Sequence, residues 1–285
     1  MARELATLAA RWRGIVAVDS HPQSGPDHRT RVTLEGPEDS TRAAKREALE
    51  LLAEARRRRF LDRPAFGLDD ARAVVAYAEG RPRVAESLDV VRRCYDRYPA
   101  DQVFLSFNGG KDCTAVLHLV ASVCKVRNLS KLLCLYVEED TFPEVDEFVE
   151  QAERYYGLDI VRKRGPIKAA LRSLLEEKEG LKAGIMGTRR NDPGAANVDA
   201  FTMTDPGWPA IMRVFPILDW SYADVWSFLL TNDVPYCSLY DKGYSSLGTK
   251  VNTKPNPLLV LDEEDSVYLP AFLLSEDSAE RQGRR

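Results

Sequence analysis

The stretch FLSFNGGKDCTAVL, Phe104–Leu117, contains the pattern from which the fold is predicted. An apolar run ends at Asn108, two glycines follow, and apolar residues recur at helical spacing after Lys111. This pattern predicts a strand, a tight loop and a helix. Such a connection directs backbone N–H groups and the positive end of the helix dipole at one point. The stretch therefore predicts a site for a phosphate group.

The chain after Asp101 alternates strand-like and helix-like segments. Unbroken apolar runs are typical of strands that are buried on both faces, and they occupy residues 103–107, 132–137 and 183–186. Helical patterns occupy residues 111–123, 143–156 and 167–178, and a further helix is predicted to begin after Ser221. The alternation predicts an α/β fold with a mostly parallel twisted sheet and helices on both faces.

The first part of the chain differs in composition. Residues 1–85 are rich in Arg, Ala and Glu and show no strand pattern, so we predict a helical N-terminal extension there and a second domain over residues 86–285. Apolar spacing predicts one helix over residues 40–60 and another around residues 84–95. The segment between the helices, residues 18–30, is polar and contains two prolines, which predicts a mobile segment.

Composition limits the classes of function. The chain has 285 residues, is 44% hydrophobic and contains no run of 18 apolar residues, which predicts a soluble cytoplasmic or organelle-matrix protein with no membrane partner. A net charge of −4 provides no general attraction to nucleic acid. The five cysteines include no C-x-x-C pair, so neither a disulfide framework nor a zinc site is expected. No oligomeric state is predicted.

The glycine loop does not match two common nucleotide-binding motifs. The chain lacks G-x-x-x-x-G-K-[ST] and G-x-G-x-x-G, which disfavours a P-loop hydrolase and a Rossmann dehydrogenase. In the string SFNGGKD the glycines permit close backbone approach and positive φ, and Lys111 offers a mobile positive charge. Asp112 can cap the helix or orient a metal-bound phosphate. A capped turn that binds no ligand is the alternative for a Gly-Gly pair taken alone.

The string SFNGGKD resembles the pyrophosphatase loop of the ATP pyrophosphatase superfamily, in the asparagine variant of eukaryotic-type FAD synthases. These enzymes are related in fold to phosphoadenosine phosphosulfate (PAPS) reductases. The later strings TDPGWP, PILDW and PYCSLYDKGYSSLG are similar to FAD synthases of the animal type, and the resemblance covers residues 86–285. It implies a Mg²⁺-dependent transfer of AMP from ATP to FMN, giving FAD and pyrophosphate, by in-line attack without a covalent enzyme intermediate.

The resemblance also implies functional residues. The candidate catalytic residues are Asn108, Asp112, Arg281 and Arg284, and Asp112 is the candidate metal ligand, directly or through water. The residues expected to bind ATP and pyrophosphate are Ser106, Asn108, Gly109, Gly110, Lys111, Gly187 and Arg189. The residues expected to bind FMN are Asp192, Trp208 and Arg281. The adenine of ATP is expected near residues 132–137, and the apolar segment Tyr268–Leu274 is expected to anchor the terminal arginines.

Some of these residues also have a purely structural interpretation, and the function has alternatives. The adjacent arginines of GIMGTRRNDP, Gly184–Pro193, suit a phosphate site but equally a solvated surface loop, and each aromatic residue between Thr204 and Trp226 is by itself more typical of a core. A non-catalytic flavin or nucleotide sensor is the alternative function. A PAPS-reductase-like thiol enzyme is disfavoured, because the last cysteine is Cys237. Apo-flavoproteins are candidate clients. Replacing Asp112 by Ala is expected to abolish most turnover and leave the fold intact.

Overall fold

The computed structural model describes residues 2–22, 30–129, 132–262, 264 and 266–284. The chain forms two compact units. Unit 1 consists of Met1–Arg63, Ser238–Ser246 and Lys254–Arg285, and unit 2 consists of Pro64–Cys237 and Leu247–Thr253. The predicted boundary at residue 85 therefore does not coincide with a unit boundary. Residues 64–85 pack with unit 2 because the helix that they contain buries Ala71 and Val74.

The N-terminal part of unit 1 contains two helices and a β-hairpin: α1 (Ala2–Arg11), β1 (Ala17–Pro22), β2 (Thr30–Glu35) and α2 (Glu38–Leu61). The predicted helix over residues 40–60 is confirmed. The expectation that this region lacks strands is wrong, because β1 and β2 pair antiparallel and Val18 lies opposite Leu34. The alternating Val32 and Leu34 carry this signal. Of the segment predicted to be mobile, residues 23–29 lie outside the described residues.

Unit 2 contains six helices and six strands among its described residues. In chain order they are α3 (Leu68–Tyr77), α4 (Pro82–Arg97), β3 (Val103–Ser106), α5 (Lys111–Val126), β4 (Leu133–Glu138), α6 (Pro143–Tyr156), β5 (Asp159–Arg164), α7 (Ile167–Glu177), β6 (Ala183–Ile185), β7 (Phe201–Met203), β8 (Met212–Val214) and α8 (Tyr222–Thr231). The C-terminal part of unit 1 adds the short strands β9 (Val260–Asp262) and β10 (Val267–Tyr268).

The six strands of unit 2 form one sheet in the order β5-β4-β3-β6-β8-β7. All neighbouring pairs are parallel except β7 and β8. The chain leaves β3 toward β4 on one side, whereas β6 occupies the other side, so the strand order reverses at β3. Ligands of open α/β sheets bind outside the carboxyl ends of the strands at such a reversal. The loop after β3 occupies this position.

The core of unit 2 explains why these segments fold as they do. Phe104 and Leu135 of adjacent strands pack in one cluster with Leu171 and Leu174 of α7, and Leu181 and Ile211 complete the cluster. α5 is buried along almost its whole length from Lys111 to Cys124. Consecutive residues of β3 and β4 are also buried, which accounts for the apolar runs without alternation in these strands.

The predicted mostly parallel α/β fold is confirmed, and so are the helices predicted in unit 2. Three strands of unit 2 were not predicted, namely β5, β7 and β8. β5 carries charged side chains because it is an edge strand with exposed residues, whereas β7 and β8 have three residues each and lie in a stretch rich in proline and aromatic residues. Short strands of this kind have too few residues to show a period of two.

Candidate active site

The loop after β3 is a tight turn that places the amino end of α5 at the carboxyl edge of the sheet. Asn108 folds back on this turn, because its Oδ1 accepts a hydrogen bond of 3.0 Å from the Gly110 amide. Gly109 adopts a φ of +73°, in the left-handed region that favours glycine. The Gly110 carbonyl accepts a hydrogen bond of 2.8 Å from the Thr114 hydroxyl. The predicted strand, loop and helix are therefore confirmed, and Ser106 ends the strand.

Three charged side chains meet at the start of α5. Lys111 Nζ lies 2.8 Å from Asp112 Oδ2, and Arg189 Nε lies 2.7 Å from Asp112 Oδ1. The Lys111 and Arg189 side chains are 1% and 3% exposed, and Asp112 is 23% exposed. This group, which we call the Asp112 cluster, carries one net positive charge. The expectation of a mobile charge at Lys111 is wrong, because the side chain is buried against Asp112.

The Asp112 carboxylate is stabilised in its ionised form. Burial favours the neutral carboxyl and by itself raises the pKa of Asp112. The positive charges of Lys111 and Arg189 outweigh burial, so the pKa of Asp112 lies below its usual value of 3.8. The Asp112 carboxyl is therefore ionised at neutral pH.

This lowered pKa predicts how stability depends on pH. A carboxyl whose pKa is lower in the folded protein contributes stability above its unfolded pKa and loses that contribution as the pH falls through the folded value. We expect the difference in free energy of unfolding between the wild type and Asp112→Asn to stay constant from about pH 8 to about pH 5 and to shrink only below about pH 4. Urea unfolding of both proteins measures it. A difference that vanishes between neutral pH and about pH 5 would contradict the ion-pair assignment.

The loop after β6 closes against the amino end of α5. A Cβ atom on Gly187 would lie 2.7 Å from Cys113 N and 2.9 Å from the Asp112 carbonyl carbon, so only glycine allows this approach. Asp192 fastens the loop, because its Oδ2 accepts a hydrogen bond of 2.8 Å from the Arg189 amide. The loop thereby holds Arg189 against Asp112. The structure thus brings together the predicted site residues Ser106, Asn108, Gly109, Gly110, Lys111, Asp112, Gly187, Arg189 and Asp192.

The two adjacent arginines of this loop have different partners. Arg190 Nε lies 2.5 Å from Asp219 Oδ1, and its Nη1 donates hydrogen bonds to the carbonyls of Ala196 and Val198. Arg189 is the one that contacts Asp112. The described contacts of Asp192 lie within the loop, so its predicted contact with flavin stays a prediction.

Tyr222 lies beside the Asp112 cluster, and the sequence did not predict it as a site residue. The centre of its ring lies 5.1 Å from Lys111 Nζ, within the range of a cation–π interaction, and its side chain is buried. Tyr222 begins α8 directly after Ser221, whose hydroxyl caps the helix by accepting a hydrogen bond from the Asp224 amide. The capping pattern predicts the helix, but no local signal relates Tyr222 to a lysine 111 positions earlier.

The aromatic residues between Thr204 and Trp226 divide into buried and exposed ones. Phe215, Trp220 and Trp226 are buried, as core residues are. Trp208 lies in the connection between β7 and β8, is 37% exposed and has Lys168 Nζ 5.8 Å from its ring centre. Trp208 precedes β8, so it lies on the side of the amino ends of the parallel strands. The glycine loop lies on the opposite side, after the carboxyl end of β3. The role of Trp208 stays a prediction.

A pocket of about 490 Å³ opens at the carboxyl ends of β4 and β5. Its lining residues are Tyr136, Glu138, Glu139, Asp146, Val149, Glu150, Arg162 and Arg164. The Tyr136 hydroxyl donates a hydrogen bond of 2.6 Å to Asp146. Val149 Cγ2 would lie 3.2 Å from a Cβ atom on Gly109, so the pocket adjoins the glycine loop. Four carboxylates and two guanidinium groups give it a net negative lining, which suits hydrogen-bond donors better than phosphates.

The predicted tail residues lie in unit 1. Arg281 is exposed, and Arg284 Nη1 donates a hydrogen bond of 3.3 Å to Ser246 Oγ. In the apolar segment predicted to anchor the tail, Ala271 and Leu274 are buried, and the ring of Phe272 lies 5.3 Å from the Arg56 guanidinium of α2. The predicted action of Arg281 and Arg284 on phosphate stays a prediction.

The cysteines of unit 2 do not have the properties of reactive thiols. Burial raises the pKa of both Cys94 and Cys113 to about 12 and that of Cys124 to about 11. Cys237 is buried and its Sγ donates a hydrogen bond of 3.5 Å to the Glu144 carbonyl. Thiols with these properties are poor nucleophiles at neutral pH.

The donors at the site do not form a metal site by themselves. Both carboxylate oxygens of Asp112 already contact cationic nitrogens. Within residues 2–22, 30–129, 132–262, 264 and 266–284, no three His, Cys, Asp or Glu side chains are placed to hold one ion. The arrangement therefore does not fit direct binding of Mg²⁺ by Asp112.

The fold and the site agree with a known family. A family model described as "Phosphoadenosine phosphosulfate reductase domain" matches residues 102–170 and 159–255, which include the sheet, the glycine loop and the Asp112 cluster. The fold and the site therefore define an α/β protein of the PAPS reductase class. Within the described part of the chain, no helix combines the length and the apolar character needed to cross a membrane.

Curated relatives identify the branch of this class. A probable FAD synthase from Schizosaccharomyces pombe is 40% identical over 210 residues, which cover 71% of this chain and 78% of the relative. A probable FAD synthase from Caenorhabditis briggsae is 39% identical over 208 residues, which cover 71% of this chain but 40% of the relative. The chain belongs to the FAD synthase family. The relationship predicted from SFNGGKD and the later strings is confirmed.

Solved structures support the same fold. Candida glabrata FMN adenylyltransferase has a TM-score of 0.67 and 24% identity, and the match covers 84% of this chain and 97% of that chain. The yeast FAD synthetase in complex with FAD has a TM-score of 0.65 and 23% identity, and the match covers 76% of this chain and 99% of that chain. At this identity the likeness concerns the fold.

Proposed function

We propose that the chain is an FAD synthase that transfers AMP from ATP to the phosphate of FMN. The observation that carries the proposal is the Asp112 cluster beside the glycine loop, at the amino end of a buried helix. This arrangement suits a polyanion, because helix dipole, backbone amides and net positive charge all favour it. The names of the relatives from S. pombe and C. briggsae support the same reaction.

The reaction determines what the protein must supply. A phosphate oxygen of FMN attacks the α-phosphorus of ATP, a new P–O bond forms, and the bond from the α-phosphorus to the oxygen that bridges to the β-phosphate breaks. Pyrophosphate leaves with that electron pair. The phosphate of FMN is already an anion at neutral pH, so the attack requires neither a base nor a covalent enzyme intermediate. The barrier lies in aligning two polyanions, and catalysis is therefore positioning and charge neutralisation.

The glycine loop and the Asp112 cluster are proposed to hold the pyrophosphate part of ATP. The Gly109 amide and the start of α5 offer N–H donors, and Lys111 and Arg189 offer positive charge. The Gly110 amide is engaged by Asn108 Oδ1, so Gly110 is proposed to shape the turn around the phosphates. Asp112 holds both cations in position before ATP arrives, so little reorganisation is needed during the reaction. Asn108 is proposed to position the reacting oxygens, and Ser106 and Gly187 to shape the loop around the phosphates.

The pocket at the ends of β4 and β5 is proposed to hold the adenosine part of ATP. It adjoins the glycine loop through Val149, and its carboxylates can accept hydrogen bonds from the adenine amino group and the ribose hydroxyls. The negative lining disfavours the triphosphate there, which orients the nucleotide with its phosphates toward the Asp112 cluster. The flavin is proposed to contact Asp192, Trp208 and Arg281.

Magnesium is proposed to enter with the nucleotide. Mg²⁺ is commonly bound through one or two carboxylates together with substrate phosphates, and it retains several waters. Since Asp112 is engaged with two cations, contact with such an ion is proposed through water. When bound, the ion neutralises phosphate charge. The roles assigned above to the residues of this chain do not depend on it.

The terminal arginines supply a prediction of their own. If Arg281 and Arg284 neutralise charge on the transferred group, the double variant Arg281→Ala, Arg284→Ala lowers kcat for FAD formation by about 100-fold while the melting temperature changes little. Steady-state kinetics with FMN and ATP measures the effect. The control is Arg92→Ala, which removes an arginine of α4 in unit 2. A double variant with wild-type kcat would show that the tail has no role in transfer.

The proposed function is tested by incubating the full chain with FMN, ATP and Mg²⁺ while flavins and pyrophosphate are both quantified. FAD and pyrophosphate in equal amounts are expected. Binding of FMN by folded protein without any FAD would instead favour the sensor, the alternative function. Sulfonucleotide reduction by a thiol is disfavoured by the raised pKa values of Cys94, Cys113 and Cys124.

A further inference from the structure

A buried polar network in unit 1 surrounds Asn256. This residue precedes Pro257 in the stretch TKPNPLL, and its side chain has no exposed surface. A fully buried amide costs stability unless its donors and acceptors are paired. The hydrogen-bond partners of Asn256 therefore indicate its role in the structure.

Every polar group of Asn256 has a partner. Its backbone amide donates to the Gly243 carbonyl at 2.9 Å, and its backbone carbonyl accepts from the Leu259 amide at 3.0 Å. Its Oδ1 accepts a hydrogen bond of 3.0 Å from the Leu258 amide. Its Nδ2 donates to Ser245 Oγ and to the Ala279 carbonyl, each at 2.8 Å. The side chain thus ties its own segment to the C-terminal tail.

Two neighbours extend this connection along the tail. Ser245 Oγ, which is also buried, donates a hydrogen bond of 2.7 Å to the Glu280 carbonyl. The Lys254 amide donates a hydrogen bond of 2.8 Å to the Gly283 carbonyl. A Cβ atom on Gly283 would lie 2.3 Å from the Lys254 carbonyl oxygen, so the tail approaches this segment as closely as only glycine permits. The carbonyls of residues 279, 280 and 283 are therefore held on both sides of Arg281 and directly before Arg284.

We propose that Asn256 is a positioning residue that, with Ser245, docks the tail and so sets the backbone from which Arg281 and Arg284 project. The proposal rests on the proposed function, because it assumes that these arginines act in adenylyl transfer. Asn256 acts through the tail and not by touching a substrate, since it is fully buried. Its amide nitrogen donates both to Ser245 Oγ and to the Ala279 carbonyl of the tail.

The variant Asn256→Asp isolates this role. Aspartate has nearly the same size and retains the acceptor for the Leu258 amide, but it replaces the amide donor by an oxygen. That oxygen would face the Ala279 carbonyl and the Ser245 hydroxyl, whose proton is already donated to Glu280. The tail is therefore released while the packing around position 256 is retained. Ser245→Ala is the second variant, which removes the bond to Glu280 and one acceptor of Asn256 Nδ2 without adding charge.

The experiment measures tail docking and catalysis separately. Hydrogen exchange at the Lys254 amide and over residues 279–284 should be faster by about tenfold or more in Asn256→Asp, because two hydrogen bonds of a buried amide are lost. In steady-state assays kcat should fall by about tenfold or more, with a smaller change in KM for ATP. The control, Asn232→Asp, removes an amide that donates to the Phe228 carbonyl in unit 2 and should leave tail exchange unchanged.

Combining the substitutions decides whether Asn256→Asp lowers kcat by displacing Arg281 and Arg284. In the background Arg281→Ala, Arg284→Ala, the substitution Asn256→Asp should reduce kcat no further. Unchanged tail exchange in Asn256→Asp, or a further loss of kcat in that background, would overturn the proposal. If Asn256→Asp does not fold, Ser245→Ala decides by the same two measurements. A wild type that makes no FAD would remove the proposed function, whereas the exchange measurement would still report on tail docking.

Discussion

Replacing Asp112 by Asn is expected to lower the rate of FAD formation by about 100-fold. The carboxylate lies between Lys111 and Arg189, both of which are buried, and the substitution removes the charge that holds these cations in position. We also expect a loss of stability of about 3 kcal/mol, since removing one member of a buried ionic group is strongly destabilising. This differs from the prediction made from sequence, in which the fold stays intact.

Rate and stability are measured separately for Asp112→Asn. FAD formation is assayed at a temperature at which circular dichroism shows the variant to be folded, and stability is measured by urea unfolding. The matched control is Asp89→Asn on α4, since Asp89 Oδ2 lies 2.8 Å from Arg93 Nε and the Asp89 side chain is 59% exposed. An exposed pair of this kind contributes only about 0–1 kcal/mol. Wild-type turnover by folded Asp112→Asn would refute the proposed role of the cluster.

The second large effect is expected from Gly187→Ala. A methyl group here would lie 2.7 Å from Cys113 N and 2.9 Å from both the Asp112 carbonyl carbon and Cys113 Cα, all of which are backbone atoms. Either α5 or the loop that carries Arg189 must move. A displacement near 1 Å is enough to lower turnover by about 100-fold, and overpacking is expected to cost about 1–3 kcal/mol of stability.

Gly67→Ala is the matched control for this substitution. Gly67 precedes α3 with a φ of −110°, and a Cβ there would lie 3.6 Å from Asp70 Oδ2, an ordinary contact. We expect its stability to change by less than about 1 kcal/mol and its turnover to stay at the wild-type level. If Gly187→Ala matched this control in both measurements, the close approach of the loop to α5 would have no functional meaning.

Sequence reasoning predicted the parts of the fold that depend on local patterns. The strand, glycine loop and helix of residues 103–126 follow from an apolar run, two glycines and helical spacing, and all three are present. The strands of the hairpin in unit 1 and the strands β5, β7 and β8 were missed. β7 and β8 are too short to show a period of two, β5 carries charged side chains at the edge of the sheet, and the alternation of Val32 and Leu34 in β2 was overlooked.

The candidate site was also predicted only in the part that depends on local patterns. Lys111 and Asp112 are adjacent in sequence, and the strand pattern before Gly187 and Arg189 indicates a second loop at a strand end. The sequence contains no signal that Lys111 is buried, that Arg189 rather than Arg190 contacts Asp112, or that the ring of Tyr222 lies beside Lys111. These facts depend on which residues the parallel sheet and its helices bring together.

The sequence by itself therefore determined the α/β class, the glycine loop and the relationship to FAD synthases, because local periodicity, turn chemistry and motif strings are properties of neighbouring residues. Only the tertiary structure decided the charge balance of the Asp112 cluster, the division into two units and the docking of the tail by Asn256 and Ser245. Each of these features depends on contacts between residues that are far apart in the chain. Burial and long-range hydrogen bonding determine them, and neither property is encoded in a local pattern.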